Sequence, residues 1–332
     1  MKGGRHVQVP WFRDCRLLTA IWTSTTVPAA NPEWPKSLTL GSASPGGVNY
    51  DYSEALAKIL TESLQIAVNP LPTQGPVHNV KLIESGGAQL GTTTTGVALQ
   101  GWNGTGDWTA GQRYRKMRAL FPMYDQPFQF VALRRSGITT VAQFSNRNVG
   151  VGPRAGTAGT YVPAMFGVIG ISAKIGNGSW NDSSARLLDG GYDALGLSSG
   201  VPIPALKQVE AKEPAIFVSL TPEQIEAIRK AIPEITISQI GSGAYTSLDK
   251  TYTTVGLYIF AIGRDDLPDE LVYQLVKASF VNHDRLLKAI PAAAETLPQN
   301  VDKNTFLPFH PGAVRYYREI GIKISDELVP TH

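Results

Sequence analysis

Apolar side chains recur along this chain in two rhythms, short β-rich runs and helical stripes, and over most of its length the two alternate. Ser37–Leu40 reads as a first strand and empties into the small-residue loop 41–47, GSASPGG. Tyr52, Leu56, Ile59, Leu60 and Leu64 then fall on one helical face. Ile66–Pro70 reads as a second strand, Thr73–Pro76 as a turn, and Val77–Ser85 as a helix stopped by Gly86 and Gly87. Ala88–Thr92 is a third strand and runs into four consecutive threonines, Thr92 to Thr95. Strand–helix alternation of this kind predicts an α/β fold with a mainly parallel sheet.

The theme repeats further on. Leu120–Met123 and Phe128–Leu133 are strand-like, and 134–144 is a loop leading to a short helix. Val149–Gly152 is a strand emptying into the loop 153–160, PRAGTAGT, and Tyr192–Leu197 is a strand entering Ser198–Gly200. Helices are predicted at Pro204–Ala211, at Pro222–Ala231 with Thr221 as N-cap, over Leu267–Val281, and near 284–294 and 311–320. Phe128–Leu133 and Thr254–Ile262 are the longest β-rich runs, and each sits where one α/β unit gives way to another. They suit a two-stranded hinge, with lobe 1 built from 31–131 plus 255–332 and lobe 2, from 132–254, inserted into it.

Composition narrows the class. Of 332 residues 17% are charged and 42% hydrophobic, with 33 Gly and 23 Pro, which implies a turn-rich globular protein with a sizeable core. No run approaches the ~18 unbroken apolar residues of a membrane span. The net charge of +3 is local: residues 1–30 hold Lys2, Arg5, Arg13 and Arg16 against Asp14, leaving 26 basic and 26 acidic residues in the body. That body has no bias toward nucleic acid. Residues 1–30 have the shape of a leader, with basic residues, a short apolar stretch Leu17–Trp22, and small residues at Val27-Pro28-Ala29, so a periplasmic location is expected. Cys15 is the single cysteine; with the leader removed, no disulfide, cysteine nucleophile or thiolate metal site remains.

In an open α/β sheet, ligands bind where strand ends meet helix N-termini. Four hydroxyl-rich loops occupy such places: 41–47, 92–96, 153–160 and 198–200. Together they predict a small-molecule cleft. No phosphate-binding loop is present, and no cofactor is called for; Gly150, Gly152 and Ala155 only approach a dinucleotide fingerprint. The histidines His78, His283 and His310 form no metal-ligand spacing. Gly196–Gly200, GLSSG, fits the G-x-S-x-G pattern of a serine hydrolase with Ser198 as nucleophile, and Asp249, Asp265, His283 and His310 follow in hydrolase order. Against that reading, Pro202 and Pro204 crowd the helix start and no oxyanion segment precedes it. A ligand-sensing domain serving a membrane signalling partner is a third alternative.

The segments LTLGSASPGGVNYDYSEALAKIL (38–60), LIESGGAQLGTTTTGVALQGWNGTG (82–106), VGVGPRAGTAGTYVP (149–163) and FHPGAVRYYREIG (309–321) occur in consistent order. In combination they resemble the TAXI-type solute receptors of tripartite ATP-independent periplasmic (TRAP) transporters. The resemblance implies a type II-like, bilobal periplasmic-binding-protein fold, two α/β lobes joined by β-strand hinges. It also implies closure on a small organic acid that is delivered to a TRAP-type membrane permease; a monomer is expected, and with no catalytic constellation in the sequence no turnover is expected. By position it points to Ser44, Asn49 and Tyr50 in the first loop, and to Thr94 and Thr95 where the family has larger polar groups. It points further to Tyr124 and Gln129 on the hinge side, to Thr157, Gly159 and Thr160 at a lobe 2 helix start, and to Ser198 and Ser199 in the wall. Arg154 is the only cation in these loops and is either a bidentate carboxylate clamp or a solvated surface charge.

Overall fold

A computed structural model describes residues 34–330, together with Met1 and Gly3. The leader expected at 1–30 and Cys15 lie outside the described residues. The chain forms a ten-stranded sheet whose two long strands, β4 (Met117–Leu133) and β10 (Tyr252–Arg264), run antiparallel through its middle. On one side β10 pairs with β3 (Leu90–Thr94), and parallel to β3 follow β1 (Ser37–Gly41) and β2 (Ala67–Leu71). On the other side the second half of β4 pairs with β7 (Ala194–Ser198) and β8 (Ala215–Phe217), and β7 continues through β5 (Asn148–Gly150) to β6 (Lys174–Gly176). The first half of β10 is edged by β9 (Thr236–Ile240). Each long strand therefore serves both half-sheets, and the two half-sheets with their helices are the two lobes.

The helices pack as their apolar stripes dictate. In α1 (Val48–Leu64), Tyr52, Leu56, Leu60 and Leu64 are buried, and Leu60 is fully enclosed in the same core as Leu38 and Leu40. Burying one such leucine stabilises by about 2 kcal/mol. The first lobe also carries α2 (Pro76–Ser85), α3 (Thr95–Asn103), α8 (Asp269–Val281), α9 (His283–Ala289) and α10 (Pro311–Glu319). His310 is the N-cap of α10, its Nδ1 accepting from the Gly312 N–H at 3.2 Å. The second lobe carries α4 (Thr157–Val168), α5 (Trp180–Leu188), α6 (Pro204–Lys212) and α7 (Pro222–Ala231), whose Thr221–Gln224 capping box is formed at both ends. A second core with Leu195, Leu197, Leu206 and Val209 lies beneath α5 and α6, whereas the apolar faces of α4 and α7 join the first core.

Several elements differ from the sequence reading. The third strand ends at Thr94, two residues beyond the expected Thr92, and α3 follows with no intervening loop. The two β-rich runs at 120–123 and 128–133 are one strand of 17 residues, and the ladder absorbs the mismatch with register shifts at Ile259/Phe260 and Ala261/Ile262. The segment 134–144 holds two 3₁₀ turns rather than a helix. Among the described residues no helix is long and apolar enough to cross a membrane.

Candidate functional site

Between the lobes lies a cavity of about 20 Å³, room for about one water molecule. Ala43, Gly47 and Asn49 line it from the β1–α1 loop, Gln74, Gly75 and Pro76 from the start of α2, and Gln126 from the floor. Lobe 2 contributes Pro153, Gly156 and Thr157, then Trp180 at the first turn of α5, then Ser198 and Ser199. No charged side chain is among these residues.

The lobes touch around it. The Val77 N–H donates to the Ala155 carbonyl at 3.1 Å and the Ala205 N–H to the Gly46 carbonyl at 3.2 Å. The Val48 N–H donates to Ser199 Oγ at 3.3 Å. Glycines permit this approach. A Cβ on Gly75 would meet the Gly156 Cα at 3.2 Å, and one on Gly47 would meet Trp180 Nε1 at 2.8 Å. Gly75 also sits at φ +112°, where only glycine is relaxed. The molecule is in a closed state.

The electrostatics come from backbone. Helices α1, α2 and α4 begin at residues that line the cavity, and their N-caps are Gly47, Gly75 and Gly156, none supplying a side-chain cap. Three positive dipole ends thus converge on a neutral chamber. Three buried polar atoms nearby have no hydrogen-bond partner among the described residues: Asn49 Oδ1, Thr94 Oγ1 and the Tyr124 hydroxyl. Thr94, Ile259 and Tyr124 are paired abreast across β3, β10 and β4, so Thr94 and Tyr124 share a sheet face. It is the face under α1, since Asn49 Nδ2 donates to Thr92 Oγ1 at 2.8 Å and the Tyr52 and Tyr124 rings lie 5.4 Å apart. Burial pushes the Tyr124 hydroxyl well above the usual phenol range, and Tyr52 adds to the shift, so it stays a neutral donor.

Of the residues singled out from the sequence, Asn49, Thr157, Ser198 and Ser199 line the cavity. The Thr157 hydroxyl donates to Gln126 Oε1 at 3.3 Å and Ser198 Oγ to the Gln126 carbonyl at 3.2 Å. Ser44 is buried without lining the cavity, and Tyr50 is half-buried. Gln129 lies behind the wall: its Nε2 donates to the Ser199 carbonyl at 3.4 Å, and its Oε1 accepts from the Tyr245 hydroxyl at 2.6 Å. Gly159 packs against the loop, where a Cβ would stand 2.4 Å from the Pro153 carbonyl oxygen, and Thr160 Oγ1 donates to the Gly156 carbonyl at 3.0 Å. Thr95 opens α3 and lines a different groove. Arg154 is exposed and outside the lining.

Gln126, Gln74, Gly75 and Trp180 were not singled out. Only Trp180 carried a signal, a large aromatic beside the N-cap Ser179 in an otherwise polar stretch.

Behind the cavity, Asn79 holds three segments together. Its Nδ2 donates to the carbonyls of Ser42 at 2.8 Å and Thr92 at 2.9 Å, and its Oδ1 accepts from Thr73 Oγ1 at 2.8 Å. Replacing it removes the buried donor to the Thr92 carbonyl and leaves the Ser42 carbonyl only Thr73 Oγ1, which donates to it at 3.0 Å, so Asn79→Leu is expected to cost about 2 kcal/mol in urea unfolding.

Ser198 has none of the company of a nucleophile. It ends a strand, and the next helix begins only at Pro204. His78 accepts from the Gln74 N–H, His283 bonds the Ala293 carbonyl, and His310 caps α10. No group of three or more potential metal ligands exists among the described residues.

A family model described as the NMT1-like family matches residues 40–321. The chain belongs to the NMT1-like family. Among solved structures it resembles one described as a periplasmic transporter, with 12% identity, 80% of this chain and 88% of that chain covered, and a TM-score of 0.54. It also resembles PhnD1 from Prochlorococcus marinus in complex with methylphosphonate, with 15% identity, coverage of 78% and 91%, and a TM-score of 0.51. At these identities the likeness is one of fold, that of the bilobal periplasmic solute-binding proteins.

Proposed function

We propose that the protein is an extracytoplasmic solute receptor that closes its lobes on a small organic anion, a mono- or dicarboxylate, and delivers it to a membrane permease of the TRAP type. The observation that carries the ligand class is the convergence of three glycine-capped helix N-termini on an uncharged chamber. Such an arrangement favours negative charge, and a neutral lining supplies hydrogen bonds without a salt bridge. The TAXI resemblance supports the permease class, and the periplasmic location goes with it. Lobe 1 is read as 31–131 plus 255–332 and lobe 2 as 132–254, with solute entering when they part. The receptor works as a monomer and returns its solute unchanged.

Thermal-shift screening against small carboxylates, their neutral amides and matched amines tests the reading. A carboxylate at about 100 times its dissociation constant stabilises by about 2.7 kcal/mol, whereas its amide and the amine leave the transition in place. Stabilisation by amines alone removes the anion assignment. Labelling by an active-serine probe that disappears in Ser198→Ala restores the hydrolase.

A further inference from the structure

The hinge strands have a second face, and it is built differently from the first. Gln126 points into the closed cavity, while Asp125, one residue earlier in β4, pairs with Tyr258 of β10, and both line a groove on the opposite side of the sheet. That groove encloses about 590 Å³, against about 20 Å³ in front. One wall comes from lobe 1, with Glu295 and Lys303; the other comes from the turn before β9, with Glu234, and from the start of β9, with the exposed Ile237. Two rigid lobes turning about β4 and β10 exchange one space for the other, so opening the front cleft narrows this groove.

Narrowing it brings like charges together. Asp125 from β4, Glu295 from the turn after α9 and Glu234 from the loop after α7 face the groove, with Lys303 as the basic residue of its lining. None of these four forms an ion pair within 4 Å among the described residues. Glu234 accepts from the Tyr161 hydroxyl of α4 at 2.9 Å, and Glu295 accepts from the Asp125 N–H at 3.2 Å. Ser238 of β9 and Tyr258 of β10 complete the surroundings of Asp125. We propose that this groove is a pH-sensitive latch: ionised Asp125 and Glu295 repel Glu234 and hold the groove open and the cleft shut, and protonation lets the groove narrow and the cleft open.

Burial pushes the Asp125 carboxyl up to about 6, helped by the nearby Glu295, and burial raises Glu295 as well. Narrowing the groove adds further burial and negative charge, so the open form holds its proton more tightly than the closed form. Opening is therefore favoured as pH falls through the open form's value, which lies above about 6, and closure as pH rises past it.

The latch rests on the hinge geometry and not on the identity of the solute, so a failed carboxylate screen leaves it standing. Its test is the distance between spin labels on Lys58→Cys of α1 and Lys207→Cys of α6 in a Cys15→Ser background, with no solute present. Between pH 7.5 and 5 the distribution should move to the longer distance, with most of the change complete by about pH 6. Asp125→Asn should move the distribution toward the long distance at pH 7.5 and shrink the pH response to what Glu295 leaves, and Glu234→Gln should flatten the response in a chain that keeps Asp125. A distribution identical at pH 7.5 and 5, or the full parental pH response in either variant, overturns the latch. Circular dichroism at both pH values separates opening from unfolding.

Discussion

Gly156→Val should weaken solute binding by at least about 100-fold while leaving the solute-free fold within about 1 kcal/mol of the parent. Gly156 sits at φ −87° and ψ 168°, extended backbone that valine adopts without strain. Its cost falls partly on its own loop and mainly on closure, where the side chain has least room. A Cβ there stands 3.3 Å from the Gln74 carbonyl oxygen of the other lobe and 3.1 Å from the Pro153 carbonyl oxygen of its own loop, and both are backbone atoms that cannot rotate away. The valine methyl groups reach further into the seam that the Val77–Ala155 hydrogen bond closes. Losing about 2.7 kcal/mol of closure energy is a 100-fold loss of affinity. Isothermal titration with the best carboxylate of the screen reads the affinity, and small-angle scattering should show a variant that stays extended with and without solute. Gly47→Ala is the graded comparison. Its Cβ meets Trp180 Nε1, part of a side chain that can turn, so its effect should be smaller than about tenfold. Equal loss in the two variants, or none in Gly156→Val, would show that the seam does not govern binding.

The contrast between those glycines shows what the sequence could convey. The loops 41–47 and 153–160 announce themselves through composition, and so do the helices whose apolar residues repeat at helical spacing, such as α1. What faces what across a closed cleft is set by lobe-to-lobe contact, which leaves no local signature. Gln126 sits in a β-rich run, PMYDQPFQF, where pleat alternation alone sends it to the cavity and Asp125 to the opposite groove. Thr95 looks equivalent to Thr94 in a run of four, yet the helix begins at Thr95 and turns its side chain away from the cleft. Arg154 follows the same logic: the carbonyls of Pro153 and Arg154 pack onto Gly159, and the guanidinium is left outside the lining. The helices α3 and α5 escaped the sequence reading because one follows its strand without a turn and the other is mostly polar on its outer face. Polar positions were legible as a set and not one by one.

Thr157→Asp should abolish anion binding at a smaller cost to the stability of the solute-free fold. Residue 157 is the first helical position of α4, and its glycine N-cap leaves that end without a side-chain acceptor. A carboxylate in the first turn interacts favourably with the helix dipole, by about 0.3–1 kcal/mol, which offsets part of the cost of burying it at a position where Thr157 is 3% exposed. Gln126 can keep the hydrogen bond by presenting its amide N–H₂ to the new carboxylate in place of the oxygen that now accepts from Thr157. The same carboxylate occupies the field that a solute anion would use, and any anion entering must then sit beside a fixed negative charge in a chamber without a compensating cation. Two unit charges 4 Å apart repel by about 4 kcal/mol at an effective dielectric of 20, which corresponds to about a 1,000-fold loss. Thr157→Asn has nearly the same shape without the charge and should retain affinity within about tenfold. Equal loss in the aspartate and asparagine variants would assign the effect to fit, and undiminished carboxylate binding by Thr157→Asp would remove the helix ends as the source of anion recognition. Denaturant unfolding of both variants, run beside the titrations, gives the stability half of the comparison. The stability change should be smaller than the loss of about 4 kcal/mol from anion binding.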